Sequence, residues 1–421
     1  EQLLALNYTL GEDTIFEGVR RLAPGEILFL PAPDPSPAHP GERRDPVLSR
    51  LHEGEKTWVP AFAGMSGFKS EADALRRLDA VLEDSVRVHQ RSDVPYGLFL
   101  SGGIDSTAIA ALMSRINEKP VVAFTCGFDA PGAADERAGA ERVARALNLD
   151  WRETTFGEQD FWEIAPQVAW ALDDPTTDYA TLPTFKLAQA AKGSLTVVLS
   201  GEGGDELFGG YGRYRRSLRP AWLGGRASEP RADAPFLKDG GASALDAWRE
   251  AARPPPGLTA LQQAQYADVV TWLPNDLLLK LDRCLMANGL EGRTPFLDRE
   301  VAAFAFNLPD RMKVRGRHGK WLLRKWLEGA CPAADPWAKK QGFTVPVADW
   351  IAPRAADLGP RIAAVEAVRR VCDVEAVAAI FAPGGKAKLR WPLLFFALWS
   401  LIHIEQAEPA DALAALLGSE P

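Results

Sequence analysis

The chain is 421 residues long, 47% apolar and 25% charged, with a formal net charge of -8. That length exceeds the roughly 250–300 residues at which single cores divide, so more than one structural unit is expected, and the apolar share argues against a disordered or fibrous chain. The acidic balance argues against a nucleic-acid binder held by a general basic face, and leaves room for a local basic cleft around a small anion.

Four cysteines, Cys126, Cys284, Cys331 and Cys372, lie far apart and form no CxxC pair. This disfavours a disulfide scaffold and a zinc knuckle, and fits a reducing, cytoplasmic setting. The longest apolar run, Trp391 to Ile404, contains Pro392 and His403. It falls short of the ~20 residues a membrane span needs, so it reads as a buried core helix and no membrane partner is expected.

In chain order, residues 1–30 carry two turn-like points, LGEDT and LAPGE, around short apolar runs ending in EILFL. Short strands of a small β element are expected there. Because the first residue is Glu1, a fragment or processed product is expected. From Pro31 to Ser70 the texture turns Pro-rich and polar, which predicts a linker or insertion with too little apolar surface to offset its ordering entropy. The apolar WVPAFAGM inside it suggests local docking and no function.

Ser70 and Asp73 resemble a capping box, and Leu75, Leu78, Leu82 and Val86 follow at helical spacing. Strands and helices then alternate: strand 96–100, helix 105–115, strand 121–128, helix 135–147, a strand near DWRETTF, helices through 160–192 and strand 195–200. This alternation predicts an α/β fold, a doubly wound parallel sheet whose ligand sits beyond the carboxyl ends of the strands. Pro220 to Pro256, rich in Gly, Ala, Pro and charge, reads as a surface excursion, and the remainder as a C-terminal helical subdomain.

Two motifs interrupt the alternation with chemistry. In the first, a buried strand stops at Leu100 and Ser101-Gly102-Gly103-Ile104-Asp105-Ser106-Thr107 opens a helix. Glycines without Cβ atoms let backbone N–H groups approach an anion, the hydroxyls of Ser101, Ser106 and Thr107 add donors, and the helix presents its positive end to the same place. The chain has no GxxxxGK[ST] and no GxGxxG here, so neither a P-loop lysine nor a dinucleotide fingerprint is present. In the second, a strand ends at Ser200, glycines follow, and Glu202, Asp205 and Glu206 crowd one turn. Carboxylates so close repel one another unless a cation or a proton relieves them.

SGGIDS resembles the pyrophosphate loop of the ATP pyrophosphatase (PP-loop) superfamily, whose members cleave ATP between the α and β phosphates. Together with SGEGGDELFGGY, LLLKLDRCLMANGLEGRTPFLD at 277–298, GKWLLRKWL at 319–327 and KKQGFTVPVADWI at 339–351, it resembles the synthetase domain of glutamine-dependent asparagine synthetases. The resemblance implies an adenine nucleotide alpha hydrolase-like sheet, with ATP and Mg2+ as nucleotide and metal. It also implies adenylation of aspartate with loss of pyrophosphate, then attack by ammonia with loss of AMP.

Carried over by position, Asp105 and Asp205 match the Mg2+ ligands, and Ser101, Gly102, Gly103, Ser106 and Thr107 the pyrophosphate loop. Leu100, Cys126, Ser200 and Gly201 match nucleotide contacts, largely through backbone groups. Glu202 matches the acidic residue tied to intermediate formation and ammonia deprotonation, and Lys340 the lysine that stabilises charge as pyrophosphate leaves, with Lys339 as its decoy neighbour. Arg293, Lys320 and Arg324 read either as holders of substrate carboxylate or phosphate, or as partners of Asp282 or Asp298 in buried ion pairs. Leu172 to Pro183 resembles a substrate-side loop without an assigned role, and the five histidines cluster nowhere.

The family's glutaminase needs a thiol at its first residue, and Glu1 stands here. Residues 5–30 resemble the end of a glutaminase domain. The expected organisation is therefore 1–30 as a glutaminase-domain remnant, 31–70 as linker or insertion, and 71–421 as synthetase, with the glutaminase upstream of Glu1 or in a partner chain. A homodimer is compatible with the resemblance, which does not fix it. Two alternatives stay open: a β-lactam or peptide macrolactam synthetase of the same superfamily, and a nucleotide-binding relative that has lost catalysis.

Overall fold

A computed structural model of the chain describes residues 1–22, 28–29, 49–50, 67–128, 136–223, 225, 229–230, 234–338 and 345–418. Two two-residue strands, β1 (Leu28–Phe29) and β2 (Ser49–Arg50), pair antiparallel. Five more form one sheet: β3 (Tyr96–Phe99), β4 (Val122–Phe128), β5 (Asp150–Phe156), β6 (Val197–Leu199) and β7 (Glu291–Arg293), in the order β5-β4-β3-β6-β7. Every pairing in it is parallel, so this is the α/β sheet expected. The chain steps outward from β3 to β4 and β5, then returns to the other side of β3 with β6 and β7. The switch point therefore falls between β3 and β6, the two strands whose ends carry the glycine-rich turns, and a crevice is expected there.

The helix before β3 runs Glu71–His89, with Ser70 Oγ accepting from the Asp73 N–H. Its Leu78, Leu82 and Val86 pack with the helix Ile104–Ile116 into one core, while a larger core gathers the C-terminal helices on Phe161, Trp391 and Trp399. Trp391 to Ile404 lies almost wholly within the helix Arg390–His403, buried from Arg390 through Ser400, a core helix as its pattern predicts. No described helix is long and apolar enough to cross a membrane.

Three differences from expectation have physical reasons. The chain opens with a helix, Gln2–Leu6, where strands were expected; Leu3, Leu4 and Leu6 with Tyr8 and Leu10 lie in the larger core, so burial rather than local propensity sets that conformation. The excursion from Pro220 to Pro256 is not all surface: Phe236 and Leu237 are buried, and the helix Ala242–Ala251 turns Trp248 inward to donate to Thr271 Oγ1 at 3.2 Å. β7 is an unexpected fifth strand of polar sequence, held by backbone bonds to β6. Lys339, Lys340 and most of the expected 31–70 insertion lie outside the described residues.

Candidate active site

At the end of β3 the Leu100 N–H donates to Phe124 O and Thr125 Oγ1 donates to Leu100 O, which fixes where the turn begins. Gly102 has φ +72°, and a Cβ there would stand 2.7 Å from the Ala140 backbone N, so only glycine fits. Ser101 Oγ and Ser106 Oγ lie 3.0 Å apart, Ser106 Oγ also accepts from the Ser101 N–H, and Thr107 is buried in the first turn of the helix. Cys126 sits buried in the neighbouring strand β4. Ser101 and Ser106 thus come together at the helix start.

At the end of β6 the Ser200 N–H donates to Arg293 O, and the chain enters the short helix Gly204–Phe208 that carries Asp205 and Glu206. A Cβ on Gly204 would stand 2.4 Å from Asp105 Oδ1, and one on Gly201 2.9 Å from Asp105 Cβ. The glycines between Ser200 and Asp205 therefore let the first turn press directly against the second. Two sequence-distant motifs form one surface.

Lys320 joins them. Its backbone is left-handed (φ +55°), its N–H donates to Phe208 O, and its buried ammonium bonds Asp105 Oδ2 and Asp205 Oδ1, the latter at 2.7 Å. Burial alone would lower this ammonium, but Asp105 and Asp205 outweigh it and hold the group above its ordinary value. Asp105 and Asp205, from separate strand ends, thus share a single cation. The pair suits a hard divalent ion such as Mg2+: one carboxylate oxygen from each aspartate would be too few for a full coordination sphere without phosphate and water oxygens. A Cβ on Gly210 would run into Asp205 Oδ1 and Lys320 Cε, so the cradle is kept open by a missing side chain.

Around this pair the acidic groups are strained electrostatically. Burial, then Asp178, Asp205 and Asp105, raise Glu202 above the usual carboxylate range, against the pull of Lys280. Burial and then Asp205 push Glu206 up to about 8, although Tyr211 donates to it at 2.6 Å. Lys280, which the sequence reading did not single out, donates to Asp178 Oδ2 at 3.0 Å and lies 3.9 Å from Glu202 Oε1. It ties the loop Leu172 to Pro183 to the second motif. Its signal was only its place in LLLKLD, a buried lysine among leucines.

Arg293 and Arg324 have protein partners of their own. Arg293 donates from Nη1 to the His89 and Arg91 carbonyls and from Nε to Glu291, so it finishes the helix Glu71–His89. It pairs with neither Asp282, which meets Arg283, nor Asp298, which caps the next helix. Arg324 donates to the Gly319 and Pro336 carbonyls and so supports the turn that presents Lys320.

The family model for asparagine synthase matches residues 77–401, more than half the chain. The chain belongs to the asparagine synthase family. A putative glutamine-hydrolysing asparagine synthetase of Mycobacterium bovis is 33% identical over 96% of the chain and 67% of that relative. Glutamine-hydrolysing asparagine synthetase 1 of Bacillus subtilis is 32% identical over 77% of the chain and 58% of its own length. The chain thus spans about two thirds, or less, of these relatives. An NH3-dependent NAD synthetase from Campylobacter jejuni matches 46% of the chain and 96% of its own at 18% identity, with a TM-score of 0.25, too slight a likeness to bear on the fold. Membership sets the chain among carbon–nitrogen ligases.

Proposed function

We propose that the chain is the ATP-dependent synthetase part of an asparagine synthetase. The observation that carries this reading is the sharing of one cation by Asp105 and Asp205 at the switch point of the sheet. In the proposed reaction a carboxylate oxygen of aspartate attacks the α phosphorus of ATP and pyrophosphate leaves. Ammonia then attacks the acyl carbon, loses a proton, and AMP departs, leaving asparagine.

The roles follow the chemistry of each group. Ser101, Gly102, Gly103, Ser106 and Thr107 bind the pyrophosphate oxygens by hydroxyl and backbone donors at a helix start. Leu100, Cys126, Ser200 and Gly201 border the nucleotide. Asp105 and Asp205 would hold Mg2+, which supplies charge neutralisation on the departing phosphates. Lys320, held between the two carboxylates, would bring its ammonium beside the phosphates. Glu202, raised above the usual carboxylate range by burial first, is suited to accept the proton that ammonia loses. Lys340 stabilises the charge of the leaving group. Ammonia comes from glutamine hydrolysed by a separate glutaminase unit, and the reaction takes place in the cytoplasm; residues 31–70 serve as a linker, and residues 3–10, buried with Phe161, Trp391 and Trp399, pack as part of the synthetase core.

The second reading of the substrate is a β-lactam or macrolactam synthetase. A pocket of about 620 Å3 is lined by Tyr8, Asp178, Tyr179, Trp272, Asp276 and Val345 among others, and its Asp178 meets Lys280, which lies 3.9 Å from Glu202. Its carboxylates would suit an organic amine. Incubation with ATP, Mg2+, aspartate and ammonium, followed by amino-acid analysis, decides between them. Asparagine is expected; AMP without asparagine would move the assignment to the cyclising reading, and no nucleotide turnover would leave a binding module.

A further inference from the structure

The helix Gly204–Phe208 is only five residues long, so it cannot satisfy its own carbonyls, and its last four need donors from elsewhere. Asp205 O accepts from the Gly210 N–H and Phe208 O from the Lys320 N–H. The two between them, Glu206 O and Leu207 O, both accept from the Gln265 side-chain amide, at 2.6 and 2.8 Å. Gln265 comes from the helix Ala260–Val270 and is 1% exposed. Its carbonyl oxygen in turn accepts from Lys313 Nζ at 3.0 Å, and Lys313, wholly buried, donates also to Phe306 O at 3.1 Å.

This chain of bonds admits one orientation of the amide. Backbone carbonyls only accept and an ammonium only donates, so a flipped Gln265 would set oxygen against two oxygens and NH2 against the lysine. Neither hydrogen-bond partner of Lys313 is charged. Burial pushes its ammonium down to about 7, with Asp310 opposing.

We infer that Gln265 and Lys313 are positioning residues for Asp205: Lys313 orients the Gln265 amide, and the amide clamps the helix that sets the Asp205 carboxylate against Asp105. The inference rests on the proposed role of Asp205 as a metal ligand. Residues that orient a metal ligand from behind typically matter 10–100-fold in metal affinity. They would matter here without touching nucleotide or metal.

Mn2+ serves as a spin probe for the ion, and its binding in the presence of ATP is read by electron paramagnetic resonance rather than by turnover. Gln265→Glu keeps the shape and removes the donor; it is expected to weaken Mn2+ binding roughly tenfold or more. Lys313→Met keeps burial and chain length, leaves the donor without its anchor, and is expected to weaken binding in the same direction by less; it carries the test if Gln265→Glu does not fold. A purely structural role would lower the melting temperature and leave Mn2+ affinity at the wild-type value, which would overturn the inference. Asp205→Asn separates the two claims. If it weakens Mn2+ binding and the positioning variants do not, the clamp is wrong; if it too has no effect, the assignment of Asp205 falls, and the clamp with it.

Discussion

Asp105→Asn is expected to lower pyrophosphate release by on the order of 100–1,000-fold, the loss that follows removal of a single preorganised electrostatic group from a reacting site. The amide has nearly the carboxylate's shape, so the turn Ser101 to Thr107 and the helix behind it keep their geometry. What changes is charge. Asp105 and Asp205 together carry two negative charges against the one positive charge of Lys320, and that surplus is what a divalent ion accompanying ATP would neutralise. With asparagine at 105 the surplus disappears, and the remaining carboxylate is already matched by the lysine. Release of pyrophosphate at saturating ATP and Mg2+ measures the effect. A variant within threefold of the wild-type rate would remove Asp105 from the site.

Lys320→Met is expected to destabilise the fold by about 3–5 kcal/mol in the absence of Mg2+, because it leaves two buried carboxylates without their counter-charge. The side chain of Lys320 is 4% exposed, and those of Asp105 and Asp205 are 17% and 15% exposed, so solvent screens the pair only weakly. The same two carboxylates are the proposed metal ligands. Added Mg2+ should therefore recover part of the lost stability in the variant, while doing little for the wild type without nucleotide. Urea unfolding with and without Mg2+ reads both effects. A variant as stable as the wild type would mean that Lys320 contributes nothing as counter-ion, and one indifferent to Mg2+ would remove the two carboxylates from the metal site.

Much of the site was legible because its chemistry coincides with strand ends. The apolar run ending at Leu100 and the small-residue helix after Gly103 placed Ser101 to Thr107 at a turn, and the same logic placed Ser200 to Asp205. That Asp105 and Asp205 meet follows from β3 and β6 being neighbours, which alternation suggests but does not fix. Lys320 lies in neither turn. It reaches both carboxylates through a left-handed residue whose N–H finishes another helix, a long-range fact with no local signature. Arg293 reads from the sequence as a guanidinium beside a motif, and no local signal announces that its Nη1 donates to the end of the helix Glu71–His89. The polar triplet of β7 has no strand periodicity, and its edge position is set by its parallel pairing with Val197 to Leu199 and by the anchoring of Arg293 to the His89 and Arg91 carbonyls. The helix Gln2–Leu6 is too short to declare itself and is stabilised by the leucines it buries.

The bond at which ATP is broken distinguishes the proposed ligase from a kinase-like activity. Phosphorus NMR of the products formed from ATP, Mg2+, aspartate and ammonium distinguishes the two inner cleavage sites in one spectrum. AMP and pyrophosphate in equal amounts, lost together in Asp105→Asn, are the predicted result; ADP and inorganic phosphate, or AMP and pyrophosphate that survive that substitution, would contradict it.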